Sequence, residues 1–98
     1  NRGEIQHKIV TLKETRPELV KYFGLKSIGV FGSFSKNLVT PESDVDLLVD
    51  FTEPKFDYLA GMQNYLEKRL GRHVDIVRKR SSIRQSFIER INKELINV

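Results

Sequence analysis

Residues 32–50 read GSFSKNLVTPESDVDLLVD. A Gly-Ser pair ends one apolar run, a short polar loop follows, and Asp44 and Asp46 open a second apolar run. Side chains at i and i+2 of a strand point to the same face. Two carboxylates placed side by side in this way repel each other unless something positive lies between them. A divalent cation with a preference for oxygen ligands is the usual solution. The stretch therefore predicts a metal-dependent site for phosphoryl-type transfer, and the flanking sequence is read outward from it.

On the N-terminal side, KSIGVFG at 26–32 has the composition of a buried strand bounded by glycines, and Gly29 within it marks a close approach of another element. Ser33 to Asn37 fits one helical turn. Before the strand, Ile5, Ile9 and Leu12 recur at helical spacing over 4–13. Thr15, Pro17 and Glu18 resemble a fresh helix start, with a cap, a first-turn proline and an acid three residues after the cap. The expectation is two helices with the break at Pro17, the second burying Leu19, Val20 and Phe23 and stopping at Gly24.

On the C-terminal side, DVDLLVDF at 44–51 alternates, with Asp44, Asp46, Leu48 and Asp50 on one face and Val45, Leu47, Val49 and Phe51 on the core face. Asp50 is expected at an exposed edge. Tyr58, Leu59, Met62, Tyr65, Leu66 and Leu70 predict a helix over 56–70 that ends at Gly71. RHVDIV at 72–77 reads as a third strand, with His73, Asp75 and Val77 on one face. Ile83, Phe87, Ile91 and Leu95 predict an amphipathic closing helix capped by Ser81 or Ser82. The link between the first two strands is too short for a parallel crossover, so that pair is expected to be antiparallel. The helix between the second and third strands allows a parallel pair. The fold class is α/β (α+β): a small mixed β-sheet of about three strands flanked by helices.

The chain has 98 residues, which fits a single domain over residues 1–98. With 39% hydrophobic and 31% charged residues it has the composition of a globular protein rather than a disordered one. No apolar run is long enough for a membrane span, and no export signal is evident, so the cytoplasm is the expected compartment. Cysteine is absent, which excludes disulfides and thiolate metal sites. A net charge of +4 suits phosphate-bearing partners, although only Arg78, Lys79, Arg80 and Arg84 form a local basic cluster.

Asp75 is a third carboxylate inside a strand-like run. If the third strand lies beside the second, Asp75 shares the face of Asp46 and completes a triad suited to Mg²⁺ or Mn²⁺. Two such ions about 4 Å apart can serve the attacking hydroxyl and the leaving group of an in-line displacement. Gly32 lets the backbone approach a phosphate, and the loop amides with the Ser33 hydroxyl can donate to its oxygens. A Gly-Ser turn or a strand aspartate alone says little; the combination of Gly-Ser, ten residues, Asp-x-Asp and a later aspartate is far more specific. His7 and His73 receive no role. Phe34 could stack on a base, but packing into the core is its ordinary fate.

GVFGSFSKNLVTPESDVDLLVDF followed by LGRHVDIV resembles the minimal nucleotidyltransferases (MNT type) of the DNA polymerase beta superfamily, over nearly the whole chain. The resemblance implies the nucleotidyltransferase fold. It implies that Asp44, Asp46 and Asp75 are catalytic and hold the metal, with Asp75 also helping to activate the acceptor hydroxyl. It implies that Gly32, Ser33 and Lys36 hold a nucleoside triphosphate, ATP above all, whose α-phosphate is attacked with release of pyrophosphate. The chain departs from the family in one place: Lys36-Asn37 stands where an Arg-Gly pair is usual. Lysine keeps the charge and gives up bidentate geometry, while asparagine tolerates a left-handed turn.

By resemblance, larger relatives carry further domains for the acceptor, and with 98 residues a single domain is expected here. By resemblance, the expected role is the antitoxin of a HEPN/MNT toxin–antitoxin pair, adenylylating a hydroxyl on the HEPN-family toxin, with which it can form a hetero-oligomer. Two alternatives stand beside it. One is a catalytically silent antitoxin acting by binding alone. The other is a small nucleic-acid-tailing enzyme, which the basic cluster would serve but which lacks an evident aromatic platform.

Overall fold

A computed structural model describes residues 2–36, 38–40, 42–53, 56–79 and 84–98. The elements are α1 (Arg2–Phe23), β1 (Leu25–Phe31), β2 (Val45–Phe51), α2 (Phe56–Leu70), β3 (Val74–Arg78), α3 (Gln85–Glu94) and β4 (Ile96–Asn97). The strands form one mixed sheet in the order β3-β2-β1-β4. β1 runs antiparallel to β2 and β4, and β2 runs parallel to β3 across the α2 crossover. The mixed α+β class and both expected pairing directions hold. The sheet gains a fourth strand because Ile96 and Asn97 pair with Val30 and Gly29 on the free edge of β1.

The break expected at Pro17 is absent: α1 is continuous over 22 residues with Pro17 inside it. An interior proline removes one helical hydrogen bond and costs ~3 kcal/mol. Burial on both sides of it offsets that cost. Leu12 and Leu19 are fully enclosed, and Thr15 between them is buried with its hydroxyl donating to the Thr11 carbonyl at 2.7 Å. Thr15 is thus an interior residue and not a cap. α2 runs over the expected residues and stops before Gly71. α3 starts at Gln85 with Arg84 at its N-cap position and no side-chain cap, and Leu95 lies just beyond its end. Ser81, Ser82 and Ile83 lie outside the described residues.

The main core fills one face of the sheet. Ile5, Ile9, Leu12 and Leu19 of α1 and Met62, Leu66 and Leu70 of α2 pack on Ile28 and Val30 of β1 and Val45, Leu47 and Val49 of β2. Phe34 belongs to this core at 1% exposure, so it is not available to stack on a base. The opposite face carries Asp46, Leu48 and Asp50 of β2, opposite Phe31, Gly29 and Ser27 of β1. There Leu48 and Ile91 are buried outside the main cluster, and a Cβ at Gly29 would collide with Leu95. α3 and the residue after it therefore cover part of this second face. Asp50 lies on an interior strand rather than at a sheet edge, with Lys26 Nζ 4.0 Å away.

Candidate active site

Register decides which carboxylates meet. Asp46 on β2 lies opposite Asp75 on β3 and opposite Phe31 on β1. In-register neighbours on adjacent strands share a face, so the strand pairing brings Asp46 and Asp75 together as the alternation predicted. Asp44 lies just before β2 and is half-buried. Burial pushes the Asp46 carboxyl above the ordinary aspartate range, and the charges of Asp75, Asp44 and Glu94 push it further. The charges of three other carboxylates are thus felt at Asp46. Hard oxygen donors on a partly buried carboxylate suit a divalent cation, so the residue types fit the implied metal. Among the described residues, no group of three or more Asp, Glu or His side chains stands close enough to hold an ion.

Gly32 follows β1 with φ +74, a conformation that side chains rarely adopt. A Cβ there would run into the Asp46 carboxylate oxygen. The glycine is therefore required twice, by backbone angle and by the space that Asp46 occupies. The loop folds back as a turn: the Lys36 N–H donates to the Gly32 carbonyl at 3.1 Å and the Leu38 N–H to the Ser33 carbonyl at 2.9 Å. The Ser35 hydroxyl donates to the Gly32 carbonyl at 2.9 Å. Ser33 is half-buried within the turn and Lys36 is exposed. Asn37 lies outside the described residues.

Two side chains that the sequence reading passed over shape this site. Arg72 donates to Glu4 on α1 at 2.6 and 2.9 Å, and to the Thr40 and Ser43 carbonyls at 2.9 and 2.7 Å. Its guanidinium also lies 5.3 Å over the Phe34 ring. It ties the loop that delivers Asp44 to the first helix, and Arg72 in turn holds the Glu4 carboxyl below its usual range. A lone arginine after a helix-ending glycine carries no signal of this role in sequence. The second is Glu94 at the end of α3. It accepts the Gly32 N–H at 3.3 Å and pairs with Lys36 at 2.9 Å. Amphipathic spacing showed that α3 packs, but not which polar residue it brings to the glycine.

The start of β3 is held from α2. Glu67 accepts the Val74 N–H at 2.9 Å and pairs with His73 Nδ1 at 2.6 Å, while Gln63 donates to the Val74 carbonyl at 2.9 Å. The Val45 N–H donates to the His73 carbonyl at 2.9 Å. His73 thus serves the register that sets Asp75 against Asp46. Of the basic cluster, Arg80 lies outside the described residues. Arg84 lines a shallow cavity with Ser86, Phe87 and Arg90, and the Arg90 guanidinium stands 5.4 Å over the Phe87 ring. The Phe87 ring beside Arg84 thus already carries Arg90. Among the described residues, no helix is long and apolar enough to cross a membrane.

Comparison with known proteins points the same way. The nucleotidyltransferase domain family model matches residues 12–98. The protein adenylyltransferase MntA of Thermococcus cleftensis is 39% identical over 84 residues, which is 85% of this chain and 84% of that protein. A solved structure of a candidate minimal nucleotidyltransferase superposes with a TM-score of 0.73 at 29% identity, covering 95% of this chain and 90% of the other. The same fold recurs in a complex of a tri-AMPylated Shewanella oneidensis HEPN toxin with MNT antitoxin. There the TM-score is 0.59 at 18% identity, over 98% of this chain and 69% of that one.

Proposed function

This chain belongs to the nucleotidyltransferase domain family and is a nucleotidyltransferase; from that premise we propose that it is the adenylyltransferase antitoxin of a toxin–antitoxin pair, moving AMP from ATP to a hydroxyl of a HEPN-family toxin. The observation that carries this reading is the pairing of Asp46 with Asp75 beside Gly32, whose missing side chain makes room for the Asp46 carboxylate. Asp44, Asp46 and Asp75 would hold Mg²⁺ or Mn²⁺. When bound, such a cation neutralises charge on the phosphoryl oxygens and polarises the α-phosphorus. The Gly32 and Ser33 loop, with Lys36, takes the triphosphate through backbone donors and one positive charge.

In the transfer, the acceptor oxygen forms a bond to the α-phosphorus. The bond from that phosphorus to the oxygen bridging to the β-phosphate breaks, and pyrophosphate leaves with the electron pair. Asp75 is exposed, so an incoming hydroxyl can reach it and pass its proton to the carboxylate. Asp46 is half-buried, which suits a fixed ligand better than a proton carrier. The relationship to the Thermococcus cleftensis adenylyltransferase supports AMP as the group and a protein as the acceptor. The shared fold of the MNT–HEPN complex supports the class of partner.

The test is label transfer from α-labelled ATP with Mg²⁺ to the product of the neighbouring gene. Wild type should label it, and the Asp44→Asn/Asp46→Asn variant should lose more than ~100-fold of that rate. Equal neutralisation of the toxin by both forms, with no label transferred, would instead establish an antitoxin that acts by binding alone. Label in a nucleic acid and none in protein would establish a tailing enzyme.

A further inference from the structure

The groups expected to grip a triphosphate already hold an anion from within the chain. One Glu94 carboxylate oxygen accepts the Gly32 N–H at 3.3 Å, and the other pairs with Lys36 Nζ at 2.9 Å. The glutamate is placed there from both sides. Ile91, one turn earlier, is buried at 1% exposure, and Leu95, the next residue, packs where Gly29 has no side chain. Beyond it, β4 pairs with β1 at Gly29 and Val30. The Glu94 side chain is only 19% exposed.

Its position is costly in one direction and favourable in the other. Glu94 lies near enough to Asp46 to raise that carboxyl, so it adds negative charge to an already acidic place. The hydrogen bond from Lys36, joined by that from the Gly32 amide, outweighs the cost of burial and holds the Glu94 carboxyl below its usual range. A carboxylate that spans one backbone amide and one ammonium presents two oxygens much as a phosphate does.

We propose that Glu94 is an internal competitor for the anion site, a carboxylate that occupies the Gly32 amide and Lys36 until an incoming triphosphate displaces it. This rests on the nucleotidyltransferase reading of the same loop. Displacement needs only rotation of the glutamate side chain, because Ile91 and Leu95 keep its backbone in place. Glu94 therefore sets the affinity of the site: it neutralises Lys36 in the empty protein and weakens nucleotide binding by the strength of the contacts that must first break. A nucleoside monophosphate or free AMP, with less charge to offer, displaces it less readily than a triphosphate.

The test uses the full chain with inorganic triphosphate in EDTA, and ATP with Mg²⁺ as a second probe, both followed by calorimetry. Glu94→Gln and Glu94→Ala should each bind inorganic triphosphate about tenfold more tightly than wild type. Adding Lys36→Gln to Glu94→Gln should remove that gain. In wild type, a triphosphate titration followed by NMR should move the Gly32 amide and the Glu94 carboxyl carbon together, at the same concentration. That readout needs no variant to fold. Unchanged or weaker binding by both Glu94 variants, or movement of the Gly32 amide with Glu94 still, overturns the proposal and leaves the nucleotidyltransferase reading intact. Failure of wild type and every variant to bind either probe overturns both.

Discussion

One face of the sheet is sealed by two helices, and the other is half-covered by one short helix and lined with acids. Behind the first lie Leu12, Leu19, Leu47, Met62 and Leu66, all at 0% exposure. On the second, Leu48 and Ile91 are the buried apolar residues standing outside that cluster, among Asp46, Asp75 and Glu94. Burial of apolar surface is worth roughly 25 cal/mol per Å², so the first face supplies most of the driving force for folding. The second face accumulates like charge, which opposes folding and suits a polyanionic ligand with its counter-ion. The same strand, β2, serves both by alternation. Val45, Leu47 and Val49 face one way, and Asp46 and Asp50 the other.

This division can be broken by experiment. The largest effect on stability is expected from Leu19→Ala, which opens a cavity on the sealed face and should cost about 2–5 kcal/mol. Denaturant unfolding would measure it, and triphosphate affinity of the protein that remains folded should not change. A loss of affinity equal to that of a site variant would show that the faces are not separable.

Arg72 sits where the two faces meet, since it joins Glu4 on α1 to the Thr40 and Ser43 carbonyls ahead of Asp44. Arg72→Gln should cost about 1–3 kcal/mol and should also lower the transfer rate, by about tenfold. Unfolding and turnover measured on one preparation would reveal the double effect. An activity loss without a stability loss would place Arg72 wholly in the site.

The smallest change, and the one of opposite sign, belongs to Asp46. Its carboxyl is raised in the folded protein, first by burial and then by Asp75, Asp44 and Glu94. A raised acid binds more protons folded than unfolded, so stability falls as pH rises from the ordinary aspartate value through the raised one. Asp46→Asn removes that fall. Near neutral pH the variant should be as stable as wild type or more so, while transfer is lost. Melting temperatures across pH 4 to 8 would detect it, and a variant less stable than wild type at neutral pH would contradict the electrostatic account.

Much of the site was legible because short-range rules govern it. Asp44-x-Asp46 needed only strand alternation, and Asp75 needed only a second strand of the same kind. Gly32 was read as the point where the backbone meets a phosphate; what the structure shows in the space of its missing side chain is the Asp46 carboxylate. The expectation at Pro17 failed for a reason local sequence does not contain. A proline and a nearby threonine read as a helix start, yet Leu12, Thr15 and Leu19 line one buried stripe that keeps α1 whole. Phe34, by contrast, lies in the core as its ordinary fate suggested. Its burial depends on the core beneath the loop and on Arg72 above its ring.

By itself, then, the sequence determined the run from β1 through β2, α2 and β3 to α3, the two strand directions and the aspartates that share a face, because side-chain period and loop length are local properties. The tertiary structure alone decided that β4 closes the edge of β1, that Arg72 anchors the loop before Asp44, and that Glu94 reaches the Gly32 amide and Lys36. Those contacts join residues 29 to 68 positions apart, counting Lys36 with Glu94 at 58 (94 − 36). Contacts at such range depend on how packed layers bring distant segments together, and no pattern within a segment encodes that.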